Sequence, residues 1–292
     1  MLTIAAGAAA LAGVGYTLLA GAEVPTIRSC VAAILVLVGM VLGRDAMTLR
    51  LVAAGALVVL LLWPEALVGP SFQLSFASIT AIVALHESPR IQSLFSPRPE
   101  GVVARFGRSL GALLLTGLVV EIALAPIALF HFHKSGLFGA LANLVAIPLT
   151  TFVIMPAEAL ALLFDAMGLG APFWWITGRA IGLLLWLAHE VASLPGASAL
   201  LPSVPRGAYL LMVAGGLWIM LWRTRLRLAG MLPLVAGALW AVLLPAPDLL
   251  VTDDGRHLAV RDDKGQLAIL RPRSGDFVRQ SLAERAAHAG EL

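Results

Sequence analysis

The chain has 292 residues, 60% of them hydrophobic and 13% charged, with a mean hydropathy of +0.92. Globular domains average about 45–50% apolar and 25% charged residues, so the excess apolar surface has to face lipid and an ordinary soluble domain is excluded. A formal net charge of +3 is no more than positive membrane-flanking loops give by themselves, and the single Cys30 excludes an internal disulfide.

The chain opens on "MLTIAAGAAALAGVGYTLLAG". No Lys or Arg precedes Arg28, and the apolar run is too long for a signal-peptide core, so the stretch reads as a spanning helix. A start inside a helix, with no hydrophilic lead, reads as a fragment or as a start codon within a longer frame. After this run at 2–20, further apolar runs place spans near 29–43, 50–64, 71–85, 109–130, 137–165, 171–194, 207–222 and 228–245. The expected fold class is an all-α polytopic membrane protein of about nine transmembrane or half-membrane helices with a small C-terminal β-strand extension. The runs at 29–43, 50–64 and 71–85 hold about 15 residues against the ~20 of a full span. They have to borrow flanking residues, thin the bilayer or be shielded by neighbours.

The stretch "GPSFQLSFASITAIVAL" (69–85) carries polar atoms where hydrocarbon offers no partner. At about 100° per residue, Ser71, Ser75 and Ser78 share one stripe, Phe72, Phe76, Ile79 and Val83 a neighbouring one, and Gln73 and Thr80 a third face. Hydroxyls and an amide placed this way require either an adjoining helix or water.

Two arginine-rich connections set the topology: "HESPRIQSLFSPRPEGVVARFGR", with Arg90, Arg98, Arg105 and Arg108, and "RTRLR", with Arg223, Arg225 and Arg227. Both are expected to be cytoplasmic. Four apolar segments lie between them, an even number, so both can share one side. Counting outward puts Arg44, Arg50 and the amino terminus inside and the tail outside.

Ionisable residues within apolar runs are functional candidates because each is costly in hydrocarbon. Glu121, Glu158, Arg179, His189 and Glu190 qualify, with pairing or snorkelling at an interface as the alternative. Glu121 lies mid-run, five residues before Pro126, which frees a backbone carbonyl one turn earlier and is expected to kink the helix beside the carboxylate. His131 and His133 in "FHFHKSG" stand at i, i+2 and do not share a helix face, so a solvated aromatic and basic rim is expected there rather than a metal site. "ANLVAIPLTTFVIMPAE" sets Asn143, Pro148 and Pro156 in one long apolar run. Two half-helices fit such a run more easily than one straight span, with a kinked, tilted helix as the rival.

From residue 246 the chain changes character, dividing it into a membrane part at 1–245 and a tail at 246–292. Alternating apolar runs around "DDGR" and "DDKG" read as three short strands joined by tight turns, with a helix starting near the end. So few residues make too small a core to stand alone, as at the opening of a larger domain. The chain has no phosphate-binding Gly-rich loop and no Gly-x-Ser-x-Gly elbow; its lysines are Lys134 and Lys264, and the tail's histidines are His257 and His288. No catalytic residue, metal or cofactor is expected, and the chain reads as no enzyme.

Taken in order, "GAEVPTIRS" (21–29), "WPEALVGPSFQLSFASITAI" (63–82) and "IALAPIALFHFHKSGLFGALANLVAIPLTTFVIMP" (122–156) resemble the membrane domain of ComEC-type competence proteins. The similarity runs from about Gly15 to Leu201. That resemblance implies an inner-membrane channel that admits transforming DNA as a single strand, in a bacterial plasma membrane. It also implies partners: single-stranded DNA, membrane lipid, a DNA receptor, a cytosolic helicase or single-strand-binding protein, and further copies of the chain. Family members usually begin with an oligonucleotide-binding-like domain, to which nothing here corresponds. Many end in an external metallo-β-lactamase-like domain, of which this tail resembles only the opening strands, so nuclease activity does not carry over.

Under this reading Ser71, Gln73, Ser75, Ser78, Thr80, Glu121, Asn143, Pro148 and Arg179 line the conducting path. The alternative makes the same polar atoms interhelical glue in a truncated, non-conducting scaffold or remnant.

Overall fold

The computed structural model describes the chain except for residues 1, 23, 42–47, 89–90, 94–95, 97–100, 246, 253–254, 263–266, 271–274 and 287–292. Arg44, Arg90, Arg98, Lys264 and His288 of the sequence reading lie outside the described residues. Two compact units are distinguished, one of Met1–Ser93 with Leu211–Val235, the other of Leu94–Leu210 with Ala236–Leu292.

In the first unit α1 (Leu2–Leu19), α2 (Val24–Val41), α3 (Leu49–Leu62) and α4 (Pro70–His86) pack in chain order, each against the next. Neighbouring helices meet in ordinary van der Waals contact at two glycines: a Cβ on Gly13 would lie 3.8 Å from Cys30 Sγ, and one on Gly39 3.7 Å from the Leu51 methyls. Thr48 caps α3, its hydroxyl accepting from the Leu51 N–H at 3.4 Å. Pro64 opens a 3-10 turn (Pro64–Val68) and Pro70 opens α4, both at first-turn positions where a missing N–H costs nothing. The carboxyl half of α9 (Arg206–Leu221) belongs here too, followed by a 3-10 turn (Arg225–Gly230) and the start of α10 (Met231–Leu243). That hairpin is pinned where Gly215 meets Gly230: a Cβ on Gly215 would stand 2.6 Å from the Gly230 carbonyl oxygen.

In the second unit α5 (Val102–Phe132) runs through Pro126 and ends at His133, whose φ of 58° turns the chain out of the helix. The strand β1 (Lys134–Gly136) then pairs antiparallel with β2 (Ser198–Leu200), Lys134 opposite Leu200. The helix α6 (Gly139–Leu149) passes through one π-helical turn (Thr150–Ile154) into α7 (Met155–Asp165), and α8 (Ala171–Ser193) follows. The half-helices expected at 137–165 are therefore one continuous helical path. The prolines explain this: the π turn begins just after Pro148, the Met155 N–H bonds the Thr150 carbonyl five residues back, and Pro156 falls in the first turn of α7. A shift to i→i−5 bonding accommodates a ring and a missing donor without breaking the helix.

The tail is a three-stranded antiparallel meander, β3 (Leu249–Val251), β4 (Leu258–Arg261) and β5 (Leu267–Ile269), followed by α11 (Asp276–Arg285). Ala259, Leu267, Leu282 and Ala286 form its small core, and Arg261 donates to the Ala286 carbonyl at 2.7 Å. The strands and the late helix agree with the sequence reading.

Among the described residues, four segments are long and apolar enough to cross a membrane: Val102–Phe132, Gly139–Asp165, Ala171–Ser193 and Arg225–Leu243. The remaining apolar runs form shorter helices among the described residues, which matches the expected shortage at 29–43, 50–64 and 71–85. Large apolar side chains lie exposed along the helices, Trp175 and Trp186 of α8 among them, as lipid-facing surfaces require. The chain is a mostly helical membrane protein with a small C-terminal sheet.

Candidate functional site

The serine stripe read from α4 is the wall of a cleft. Ser71, Ser75 and Ser78, with Phe76 and Ile79, face Ser29 and Ala32 of α2 across a cavity of about 290 Å³. Four hydroxyls thus share one concavity without a charged side chain among its lining residues. Ser78 donates to the Ser75 carbonyl at 2.9 Å, one turn back in its own helix. Phe72 and Phe76 pack beside the stripe with ring centroids 4.5 Å apart, Phe72 being buried. Ser29 was not singled out from the sequence as a lining residue. The available signal was its position at the end of the "GAEVPTIRS" stretch.

The other face of α4 is bound locally. Thr80 is buried and donates to the Phe76 carbonyl at 2.6 Å, and Gln73 Nε2 donates to the Leu67 carbonyl at 2.9 Å, tying α4 to the 3-10 turn before it. Neither residue lines the serine cleft.

The remaining candidates belong to the second unit. Glu121 faces the start of α6, its two carboxylate oxygens accepting from the backbone N–H of Gly139 and of Ala140, each at 3.0 Å. A carboxylate there satisfies two donors without intrahelical partners and meets the positive end of the helix dipole. The fit demands small neighbours: a Cβ on Gly139 would stand 3.2 Å from Glu121 Oε1, and one on Gly117 3.1 Å from the Ala140 methyl. Asn143 is exposed on α6, and Pro148 is half-buried ahead of the π turn. Arg179 is exposed on α8 with its guanidinium 5.3 Å from the Trp175 ring centroid, one helical turn away. Glu158, His189 and Glu190 are exposed. At the end of α5, Phe130 stacks on Tyr209 at 4.1 Å and His131 meets the same ring edge-on at 6.3 Å. Among the described residues no group of three His, Cys, Asp or Glu side chains is gathered as a metal-binding set.

A family model described as "Competence protein" matches residues 1–226. The chain is similar to the uncharacterized protein YcaI of Escherichia coli (strain K12), 29% identical over 131 residues, which are 44% of this chain and 16% of YcaI. It is also similar to ComE operon protein 3 of Bacillus subtilis (strain 168), 25% identical over 158 residues, 54% of this chain and 18% of that protein. The matched part thus spans less than a fifth of either relative. No solved structure matches. Since the family match takes in α1 to α9 and more than half of the residues, the chain belongs to the Competence protein family, as a ComEC-type member.

Proposed function

We propose that this chain takes part in DNA uptake during competence, as a component of an inner-membrane channel that passes single-stranded DNA into the cytoplasm. Family membership supports the role in uptake. The observation that carries the channel reading is the serine cleft between α2 and α4. A polyanion cannot cross hydrocarbon, and a path for it has to offer hydrogen-bond donors without holding the phosphates fast. Neutral hydroxyls around one concavity are polar without a charge that would hold a phosphate fast, and Phe76 adds an apolar face on which a base can lie.

Gln73 and Thr80 of α4, and Glu121, Asn143, Pro148 and Arg179, are proposed as further lining positions. The domain layout has residues 1–245 in the membrane and 246–292 external, with the amino terminus and both arginine-rich loops cytoplasmic and about nine helices spanning or half-spanning the bilayer. The chain itself is no enzyme in this scheme. It works with a DNA receptor outside, with a helicase or single-strand-binding protein inside, and with further copies of itself. The local bonds of Ser78, Thr80 and Gln73 favour a second reading, a non-conducting scaffold in which these groups are satisfied within α4 and the turn before it and need no water-filled path.

An uptake assay separates the two. In a competent host carrying the full-length protein with Cys30→Ser, Ser75→Cys should react with a charged, water-soluble thiol reagent, and that reaction should block entry of labelled DNA. Ala81→Cys, at a buried position of the same helix, should do neither. Full modification of Ser75→Cys with uptake intact would remove the cleft from the conducting path.

A further inference from the structure

The turn between α9 and α10 has a use that the channel reading does not require. The segment Arg225–Leu243 is long and apolar enough to cross a membrane only with this turn included. The 13 residues of α10 alone reach roughly 20 Å, short of a hydrocarbon core of ~30 Å. A bilayer crossed by this segment would have the turn Arg225–Gly230 at its boundary. Its residues alternate in kind: Arg225 and Arg227 are exposed, and between and after them Leu226 and Leu228 are 60% and 64% exposed. Leucines so exposed are stable against acyl chains, and arginines at the same depth need phosphate oxygens.

The turn is also held in shape. Trp218 and Trp222 pack together in the last turn of α9 and the residue after it, with ring centroids 4.9 Å apart, and the Trp218 indole N–H donates to the Leu226 carbonyl at 2.9 Å. The Gly215–Gly230 contact fixes its far end. Paired tryptophans beside arginines are the composition of a membrane-water interface. Charge sharpens the point. Arg223 pairs with Glu87, whereas Arg225 and Arg227 have no carboxylate partner among the described residues. Two guanidinium groups without a carboxylate partner among the described residues favour a headgroup whose phosphate carries no neutralising amine.

We propose that the Arg225–Gly230 turn is a binding surface for anionic phospholipid headgroups. A nucleic-acid strand fits less well. The two indoles already face each other, and the exposed leucines would be left in water.

The test uses the full chain released from mild detergent and examined by native mass spectrometry. Phosphatidylglycerol should be retained about tenfold better than phosphatidylethanolamine, and Arg225→Gln with Arg227→Gln should abolish that preference. Arg225→Lys with Arg227→Lys should keep it, and Arg256→Gln, in the tail, should leave it unchanged. Equal retention of the two lipids by the unaltered chain overturns the proposal, as does a folded glutamine pair that still prefers phosphatidylglycerol. If the glutamine pair does not fold, the lysine pair decides: loss of the preference in a folded lysine variant counts against the surface. Displacement of the lipid by a single-stranded oligonucleotide, weakened by the same substitutions, would assign the turn to nucleic acid instead.

Discussion

Glu121 Oε1 accepts the backbone N–H of Gly139 at 3.0 Å, so a carboxylate from the middle of α5 caps a helix that begins 18 residues later. Its second oxygen takes the Ala140 N–H, and the start of α6 is thereby docked on α5. Glu121→Ala should lower stability by about 1–2 kcal/mol, the usual cost of a lost cap. Glu121→Gln, which keeps one acceptor of the same shape, should recover part of that. Thermal unfolding of the purified chain checks both. If the glutamine variant is fully stable yet fails in DNA uptake, the charge itself serves the path; if neither changes, the cap is dispensable.

Gly215 and Gly216 stand side by side in α9 and should respond in opposite ways. A Cβ at Gly215 would stand 2.6 Å from both the Gly230 oxygen and the Leu234 nitrogen, backbone atoms that cannot rotate aside, whereas one at Gly216 would meet only the Met220 methyl at 4.0 Å. Gly215→Ala should cost at least about 1–3 kcal/mol, as overpacking does, and reduce membrane abundance. Gly216→Ala should be neutral or slightly stabilising, since it removes helix-interior glycine. Similar abundance for both variants would mean that the α9–α10 hairpin opens without cost.

Gln73 donates to the Leu67 carbonyl, a bond exposed enough to contribute no more than about 0.5–1.5 kcal/mol. Gln73→Leu should therefore leave abundance and thermal stability nearly unchanged while abolishing uptake of labelled DNA in a competent full-length background. Loss of protein in parallel with loss of uptake would make the amide structural and withdraw it from the lining set.

The division between what the sequence disclosed and what it hid follows from range. The apolar runs and the serine stripe of α4 depend on spacing within one segment, and both are visible in a single chain. Ser29 joins the cleft from a helix some forty residues earlier, and the partners of Glu121 lie beyond a turn; neither pairing has a local signature. Pro148 and Pro156 announced an irregularity between them. Whether the helix would break or widen depended on bonding between specific carbonyls, which composition does not encode, and the π turn took the second course. Span counting meets a similar limit, because shortness alone does not say whether a helix such as α3 crosses the bilayer or rests within it.

The ion pair between Glu87 and Arg223 joins the end of α4 to the loop after α9, 136 positions away. Glu87 also accepts the Leu49 N–H at 3.4 Å, so one carboxylate serves the start of α3 and the arginine together. With the Arg223 side chain 76% exposed, solvent screens the pair, and a double-mutant cycle of Glu87→Gln and Arg223→Gln should give a coupling below about 1 kcal/mol. The consequence for topology is larger than the energy. Residues in direct contact lie on one side of a membrane, so the two arginine-rich loops should share a face, and their excess positive charge predicts that this face is cytoplasmic. With Cys30→Ser, Glu87→Cys and Arg223→Cys should be joined by a short bifunctional thiol reagent. Reporter fusions at Gly101 and Thr224 should then both read cytoplasmic, and one at Gly255 external. Cross-linking with opposite sides reported for Gly101 and Thr224 is physically inconsistent and would expose a fault in the fusions; failure to cross-link together with opposite sides would overturn the shared face.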